Sequence, residues 1–282
     1  MLDVDEDVEK VITATSAPFP MDEFDSYLYG LVITDGNVYL SGSKGRIAIE
    51  LQRGDEGLLV ALARHVPSAS VTRRKRDTNF KKGYESSTFA ESNAWFRNRL
   101  FAQGMPQRDK SVIGAPPTCQ YVESAFWRGV FDGNGSNGIT ATNTPFISLT
   151  TKSEPLKVCL CELLYKRFGI KKSVNRNKRD DIYNIMLTGE HAVAFMDYLY
   201  EGATIWLERK HEKYLLCKQW TPTPSPRPRK WTVDDDLYVI SHDIKTSMEH
   251  LGRTYNAVYQ RIRRLKQGAM QGVTGQASFT PA

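Results

Sequence analysis

The 282-residue chain has only four cysteines, Cys119, Cys159, Cys161 and Cys217, and they form neither a CxxC pair nor the dense pattern of a secreted disulfide scaffold. They are expected to be reduced and structural. The five histidines, His65, His191, His211, His242 and His250, show no HExxH or HxH spacing, and none lies near a cysteine in a ligand-like pattern. That speaks against a zinc enzyme and against a Ser/His/Asp hydrolase. No apolar run approaches the roughly 20 residues that span a bilayer. The first residues are acidic (Asp3, Asp5, Glu6, Asp7, Glu9), the reverse of a signal peptide. The expectation is a soluble intracellular protein, cytoplasmic or organellar, with no membrane partner.

What is present in excess is positive charge. Lysine and arginine total 38 against 32 acids, a net charge of +6, and the pI is near 9.0. Because the acids crowd the N-terminus, the rest of the chain is more basic than the total, which favours a polyanionic partner. The length suffices for two or three units with cores of their own. Four prolines in the stretch TPTPSPRPR, residues 221–229, can form neither helix nor central strand. Residues 218–229 are therefore expected to be a semi-rigid linker between a large region and a small one.

The large region repeats itself. Leu28 to Gly36 (LYGLVITDG) and Trp127 to Gly135 (WRGVFDGNG) share the order apolar or bulky, variable, Gly, two apolar, three variable, Gly, and begin 99 residues apart. Arg73 to Asp77 (RRKRD) recurs as Arg176 to Asp180 (RNKRD), and Lys110 recurs as Lys210. Three features in one order at near-constant spacing define two copies of one unit. The expected boundaries are an acidic segment at 1–21, repeat one at 22–118, repeat two at 119–217, the linker, a helical module at 230–267 and a disordered tail at 268–282.

In the first copy, Asp25 or Ser26 is expected to cap a helix that ends at Asp35-Gly36. Alternating residues give a hairpin around Ser43-Lys44-Gly45, then a helix over 57–65, a second hairpin over 69–77 and 83–89, and a helix over 92–103. The second copy predicts strands within 138–151, a helix over 154–168, strands within 171–187 and helices over 190–214. The unit reads αββαββα and the fold class α+β. A glycine at the third position of each nine-residue motif would let the two helices approach backbone to backbone. Their last turns would then lie side by side at the mouth of a basic groove, where converging acids would bind Mg²⁺ and set water against a phosphate.

Leu28 to Gly36 resembles the LAGLIDADG motif of homing endonucleases, and Phe126 to Ser136 resembles the second motif of single-chain members. Gly104 to Ser111 is similar to the family's basic loop between repeats, and Tyr198 to Lys210 to its C-terminal signature; the resemblance covers residues 25–217. It implies a monomeric, metal-dependent endodeoxyribonuclease encoded by a mobile element, with Mg²⁺ or Mn²⁺ as cofactor and double-stranded DNA as partner. The metal-binding acid falls on Asp35 in the first copy and on Asn134 in the second. Thr34 and Gly133 would offer backbone carbonyls, and Lys110 and Lys210 would stabilise charge on water or phosphate. Asn134 departs from the pattern, because an amide supplies no negative charge. Asp132 lies two residues earlier on the helix, off that face, and is not expected to replace it. Slow cleavage, strand-biased nicking, or binding without cutting all remain open.

Alternation on strands would turn basic side chains toward one face of each sheet, forming a saddle for phosphates and base edges. The candidates are Arg73, Arg74, Lys75 and Arg76, then Lys44, Arg46, Lys81 and Lys82 in the first copy. In the second they are Arg176, Lys178 and Arg179, with Lys171 and Lys172 beside them. After the linker, Thr232 is expected to cap a helix, a short helix follows to Leu251, and Gly252-Arg-Thr leads into a third with apolar positions at helical spacing. This resembles a SANT or Myb-like helix-turn-helix. The resemblance implies Arg253, Tyr255, Asn256, Gln260, Arg261 and Arg264 as major-groove contacts. The alternative to an endonuclease is a non-catalytic DNA-binding protein or an RNA maturase on the same scaffold.

Overall fold

The computed structural model describes residues 20–41, 44–77, 79, 82–222 and 229–274, with side chains as far as 267. The chain divides into two compact units, Met1–Pro222 and Thr223–Ala282.

Two helices form the spine of the first unit. Helix α1 (Glu23–Asp35) is apolar on nearly every side, and each residue from Ser26 to Ile33 is buried. Helix α5 (Glu123–Asn134) is buried from Ala125 to Asp132. A helix without a polar face must sit inside, and these two cover each other. Their contact is set by two glycines. A Cβ on Gly30 would lie 2.2 Å from the Phe126 carbonyl oxygen, and one on Gly129 would lie 2.1 Å from that of Tyr27. The cap of α1 is Asp22, whose carboxylate accepts the Asp25 N–H at 2.8 Å, so the helix starts earlier than a cap at Asp25 or Ser26 would allow.

Strands β1 (Gly36–Ser41), β2 (Lys44–Gln52), β3 (Ser70–Arg76) and β4 (Tyr84–Glu91) form an antiparallel sheet in the order β1-β2-β4-β3. Lys44 pairs with Ser41 and Gly45 with Leu40, so these two residues of the expected Ser43-Lys44-Gly45 turn belong to β2; residues 42 and 43 lie outside the described residues. Ile47, Ile49, Leu51 and Phe89 face a core shared with Leu58, Leu59 and Leu62 of helix α2 (Glu56–His65). Helix α3 (Ala94–Ala102) and the short α4 (Lys110–Ile113) lead to the second half.

There, β5 (Gly135–Ile139), β6 (Pro145–Thr151) and β7 (Tyr183–Thr188) make a three-stranded sheet, backed by helices α6 (Glu154–Phe168), α7 (Glu190–Tyr200) and α8 (Glu208–Lys218). The α+β class holds. The αββαββα pattern holds for the first copy and fails for the second, whose expected 171–187 hairpin keeps only β7. Residues 171–182 are irregular apart from one bridge, Asn177 to Ile182. The stretch KKSVNRNKRDD has a single apolar residue, Val174, and so no period-2 face to bury. Asp181 adopts φ of 54°, and Arg176 and Arg179 pair locally with Asp181 and Asp180.

Buried polar groups join the halves. The Asp132 carboxylate accepts from the Tyr27 and Tyr200 hydroxyls and the Leu207 N–H at 2.8–2.9 Å. The guanidinium of Arg128, 2% exposed, donates to the Leu199 and Ile205 carbonyls and to Glu23. Trp220 donates its indole N–H to the Asn143 carbonyl at 2.7 Å, fastening the end of this unit to the β5–β6 turn.

The second unit has three helices, α9 (Val233–Ser241), α10 (Ile244–Leu251) and α11 (Tyr255–Thr274). Thr232 and Asp235 form a reciprocal capping box on α9. Val239 and Val258 are its buried apolar contacts. Helix α11 runs seven residues beyond 267 to Thr274, where a disordered tail was expected. Gln267, Ala269, Met270 and Gln271 are good helix formers, and the two glycines, Gly268 and Gly272, cost about 1 kcal/mol each. Residues 275–282, 223–228 of the linker and 1–19 of the acidic segment lie outside the described residues.

Candidate catalytic centre and nucleic-acid interface

Side by side, α1 and α5 end at Asp35 and Asn134, both exposed. The approach is close: a Cβ on Gly133 would lie 2.1 Å from the Thr34 hydroxyl oxygen and 3.3 Å from the Asp35 Cβ. Gly133 therefore lets the two last turns meet, and the Thr34 hydroxyl bonds back to the Gly30 carbonyl at 2.9 Å.

Each helix end is held by one lysine. Lys110 Nζ donates to the Ile33 and Thr34 carbonyls at 3.1 and 3.2 Å. Lys210 Nζ, 4% exposed, donates to the carbonyls of Phe131, Asp132 and Gly135 at 2.5, 2.7 and 2.9 Å. These carbonyls are the orphan acceptors and negative pole of a helix C-terminus, so a buried cation is doubly favoured there. Sequence reasoning assigned the lysines to water or phosphate; in the structure their direct partners are backbone.

Desolvation raises the Asp35 carboxyl above its ordinary value, opposed by the charges of Lys110, Lys210 and Arg209. Burial lowers Lys110, with Asp35 pulling the other way. Burial pushes Lys210 down to about 8, against the attraction of Asp132. One carboxylate thus faces three cations. Arg209, which sequence reasoning missed, is anchored by the buried Asp55 at 2.9 Å; its only sequence signal was its place beside Lys210. Asp132 is enclosed by its own partners and meets this cluster through Lys210, which bonds its carbonyl at 2.7 Å.

Among the described residues, no group of three His, Cys, Asp or Glu could hold a metal. The donors at the helix ends are one carboxylate, one amide and the carbonyls of Thr34 and Gly133. Hard oxygen ligands with a single charge suit a Mg²⁺ that keeps several of its waters.

From Asp35 an open groove runs over the outer face of the first sheet, lined by Asn37, Tyr39, Lys44, Arg46 and Arg74. Among the described residues Lys44, Arg46 and Arg74 have no acidic partner. Arg76 shares this face but pairs with Glu50 at 2.8 Å. Alternation turns Arg73 and Lys75 to the opposite face, where Arg73 forms a bidentate pair with Glu56 of α2 and Lys75 meets Glu85. So two of the four residues in the basic run face the groove. Lys82 is exposed, and Lys81 lies outside the described residues.

The second basic cluster is on no strand, which corrects the expectation of a matching basic sheet. Lys172 donates to the Met186 carbonyl at the open edge of β7, Arg176 and Arg179 pair with acids as above, and Lys171 and Lys178 are exposed. In the small unit Arg253 stacks 4.0 Å over the Trp231 ring and donates to the Arg229 carbonyl. Arg261 makes two 2.7 Å bonds to Asp236. Both serve the fold of the unit, whereas Tyr255, Asn256, Gln260 and Arg264 are exposed.

Residues 122–200 match the family model described as a LAGLIDADG-like domain. None of the curated proteins searched matches the chain. Solved structures do. The homing endonuclease I-WcaI bound to its DNA recognition sequence is similar at 12% identity and a TM-score of 0.52, over 70% of this chain and 88% of that one. Meganuclease I-SmaMI bound to uncleaveable DNA follows at 11% identity and 0.44, over 68% and 88%. Full-length DUF199/WhiA from Thermatoga maritima stands at 14% identity and 0.42, over 88% and 92%. Of these three only the first exceeds 0.5, and at its identity it speaks for the fold: this chain shares the α+β fold of a LAGLIDADG homing endonuclease. No helix among the described residues is long and apolar enough to cross a membrane.

Proposed function

We propose that the chain is a monomeric, site-specific DNA endonuclease that hydrolyses phosphodiester bonds with Mg²⁺ or Mn²⁺. Residues 22–118 and 119–217 are its two repeats, and residues 230–267 a helix-turn-helix module that extends its grip on double-stranded DNA. The observation that carries this reading is the junction of α1 and α5, where Gly30, Gly129 and Gly133 bring Asp35 into a cluster of three cations at the head of a basic groove. Asp35, Asn134 and the Thr34 and Gly133 carbonyls would hold the metal, which when bound lowers the pKa of its water and polarises a phosphoryl oxygen. Lys44, Arg46 and Arg74 would bind the DNA backbone or guanine edges. Arg209, held by Asp55, would offer its remaining N–H groups to the phosphate beside Asp35. Lys210 would add its positive charge beside the site, while its bonds to the Phe131, Asp132 and Gly135 carbonyls hold the end of α5 that carries Asn134.

Asn134 favours a second reading, in which one strand is cut and the other only held, or neither is cut. The test is incubation of the full chain with supercoiled source-genome DNA and Mg²⁺, alongside Asp35→Asn and Asn134→Asp. Discrete ends made by the native chain and lost in Asp35→Asn support the endonuclease. Nicks that become double breaks in Asn134→Asp support the silenced strand. Cutting only by Asn134→Asp points to a binding protein, and cutting by neither removes the nuclease reading.

A further inference from the structure

The two sheets are built in one register and surfaced differently. Gly36 lies opposite Ile49 as Gly135 lies opposite Leu149, and Ala48 lies opposite Ala90 as Ser148 lies opposite Met186. Position for position, then, the second sheet presents Phe146 where the first presents Arg46, Gly138 where it has Tyr39, and Met186 where it has Ala90. Glu50 is answered by Thr150. The strand that carries Arg74 and Arg76 has no counterpart at all. The outer face of the second sheet consists of three cross-strand rows: Ser136, Ser148 and Met186; Gly138, Phe146 and Thr188; Thr150 and Asn184. None of these side chains is charged. The Phe146 ring lies over Gly138, 3.5 Å from where a Cβ would stand, and Met186 is 39% exposed.

This face begins at Ser136, two residues beyond Asn134, as the basic groove begins at Asn37, two beyond Asp35. It is therefore continuous with the same centre. An apolar surface flanked by hydroxyls cannot pair with guanine O6 and N7 as arginine does, but it matches the 5-methyl group of thymine in the major groove.

We infer that the two halves of the recognition site are read by different chemistry: guanines by Arg46 and Arg74 on the first sheet, thymine methyl groups by Phe146 and Met186 on the second. The inference rests on the DNA-binding reading above. It makes the second sheet a source of sequence preference that contributes little to phosphate attraction, since it has no cations to release counterions.

The experiment selects duplexes from a randomised pool with the full chain, then repeats the selection with Arg46→Ala, Phe146→Ala and Met186→Ala. Arg46→Ala should relax a guanine preference in one half, and Phe146→Ala and Met186→Ala a thymine preference in the other. Replacing the selected thymines of that half by deoxyuridine, which lacks only the methyl, should weaken binding by the native chain about fourfold per contacted methyl, the worth of one buried methyl group. The variant lacking the contacting side chain should lose nothing further. Equal binding of the uracil duplex, or an equal loss in native and variant proteins, overturns the inference and leaves DNA binding standing. Enrichment of no duplex overturns both. A melt of each variant separates loss of contact from loss of fold, and Met186→Ala, at an exposed position, provides the answer if Phe146→Ala unfolds.

Discussion

At the scale of single residues, the two lysines differ in depth although they do the same work. Lys210 is buried with three carbonyl acceptors and Lys110 half-buried with two. Lys210→Met would leave buried carbonyls without donors, at about 1–3 kcal/mol for such groups, and the loss should appear in the urea midpoint. Lys110→Met should shift the midpoint by less, because water can reach the vacated carbonyls; equal shifts would contradict the burial difference. A second residue sets acid sensitivity. Hydrogen bonds from Arg73 and then Ser87 lower Glu56 to about 2 from an ordinary 4.5. Its folded pKa lies below its unfolded one, so its stabilising contribution is full above about 4.5 and fades as pH falls toward about 2. Glu56→Gln should flatten the pH dependence of unfolding in that window; an unchanged slope would remove the pair's role. Asp35 was legible in the sequence because a motif marks it. The carbonyl bonds of Lys110 and Lys210, the burial of Asp132 and the Asp55–Arg209 anchor were not, since each depends on residues 68 to 154 positions apart coming together.

Among the elements, the α1–α5 contact tolerates the least change. Gly129→Ala would drive a methyl into the Tyr27 carbonyl, and Gly30→Ala into that of Phe126. Backbone cannot rotate away as a side chain can, so each should cost about 3 kcal/mol or more, at or beyond the upper end of overpacked cores. Thermal or denaturant unfolding reads this directly, and a variant as stable as the native chain would mean that the helices stand further apart. By contrast Gly57→Ala, with nothing within 4 Å of its Cβ, should be neutral or slightly stabilising on α2. The elements of the first copy were readable because alternation and helical spacing ran the same way as the turn residues. In the second copy the recurrence of RRKRD as RNKRD suggested a strand. Without alternating apolar residues the second sequence had nothing to bury, and its charges found one another instead.

For the molecule as a whole, each unit has buried apolar residues of its own, the α1–α5 spine in the larger and Val239 and Val258 in the smaller. A chain ending at Pro222 should keep the main unfolding transition of the full chain, and on the proposed DNA-binding reading its affinity should fall with a shallower salt dependence, because the module's exposed cations are gone. Collapse of the main transition would show that the units depend on each other. The linker itself was plain in the sequence, since four prolines leave little else to expect, whereas the roles of Arg253 and Arg261 in holding Trp231 and Asp236 required the folded unit.

The polar seam between the two spine helices has a consequence for pairing. The residue matching Tyr27 in the second copy is Phe126, and the one matching Glu23 is Val122. Were the second half to pair with a twin of itself, Asp132 would meet a phenyl ring instead of a hydroxyl, and Arg128 would meet an isopropyl group instead of a carboxylate. Stranding a buried charge costs several kcal/mol. The second half is thus fitted to the first through Tyr27 and Glu23, and it would pair less well with a copy of itself.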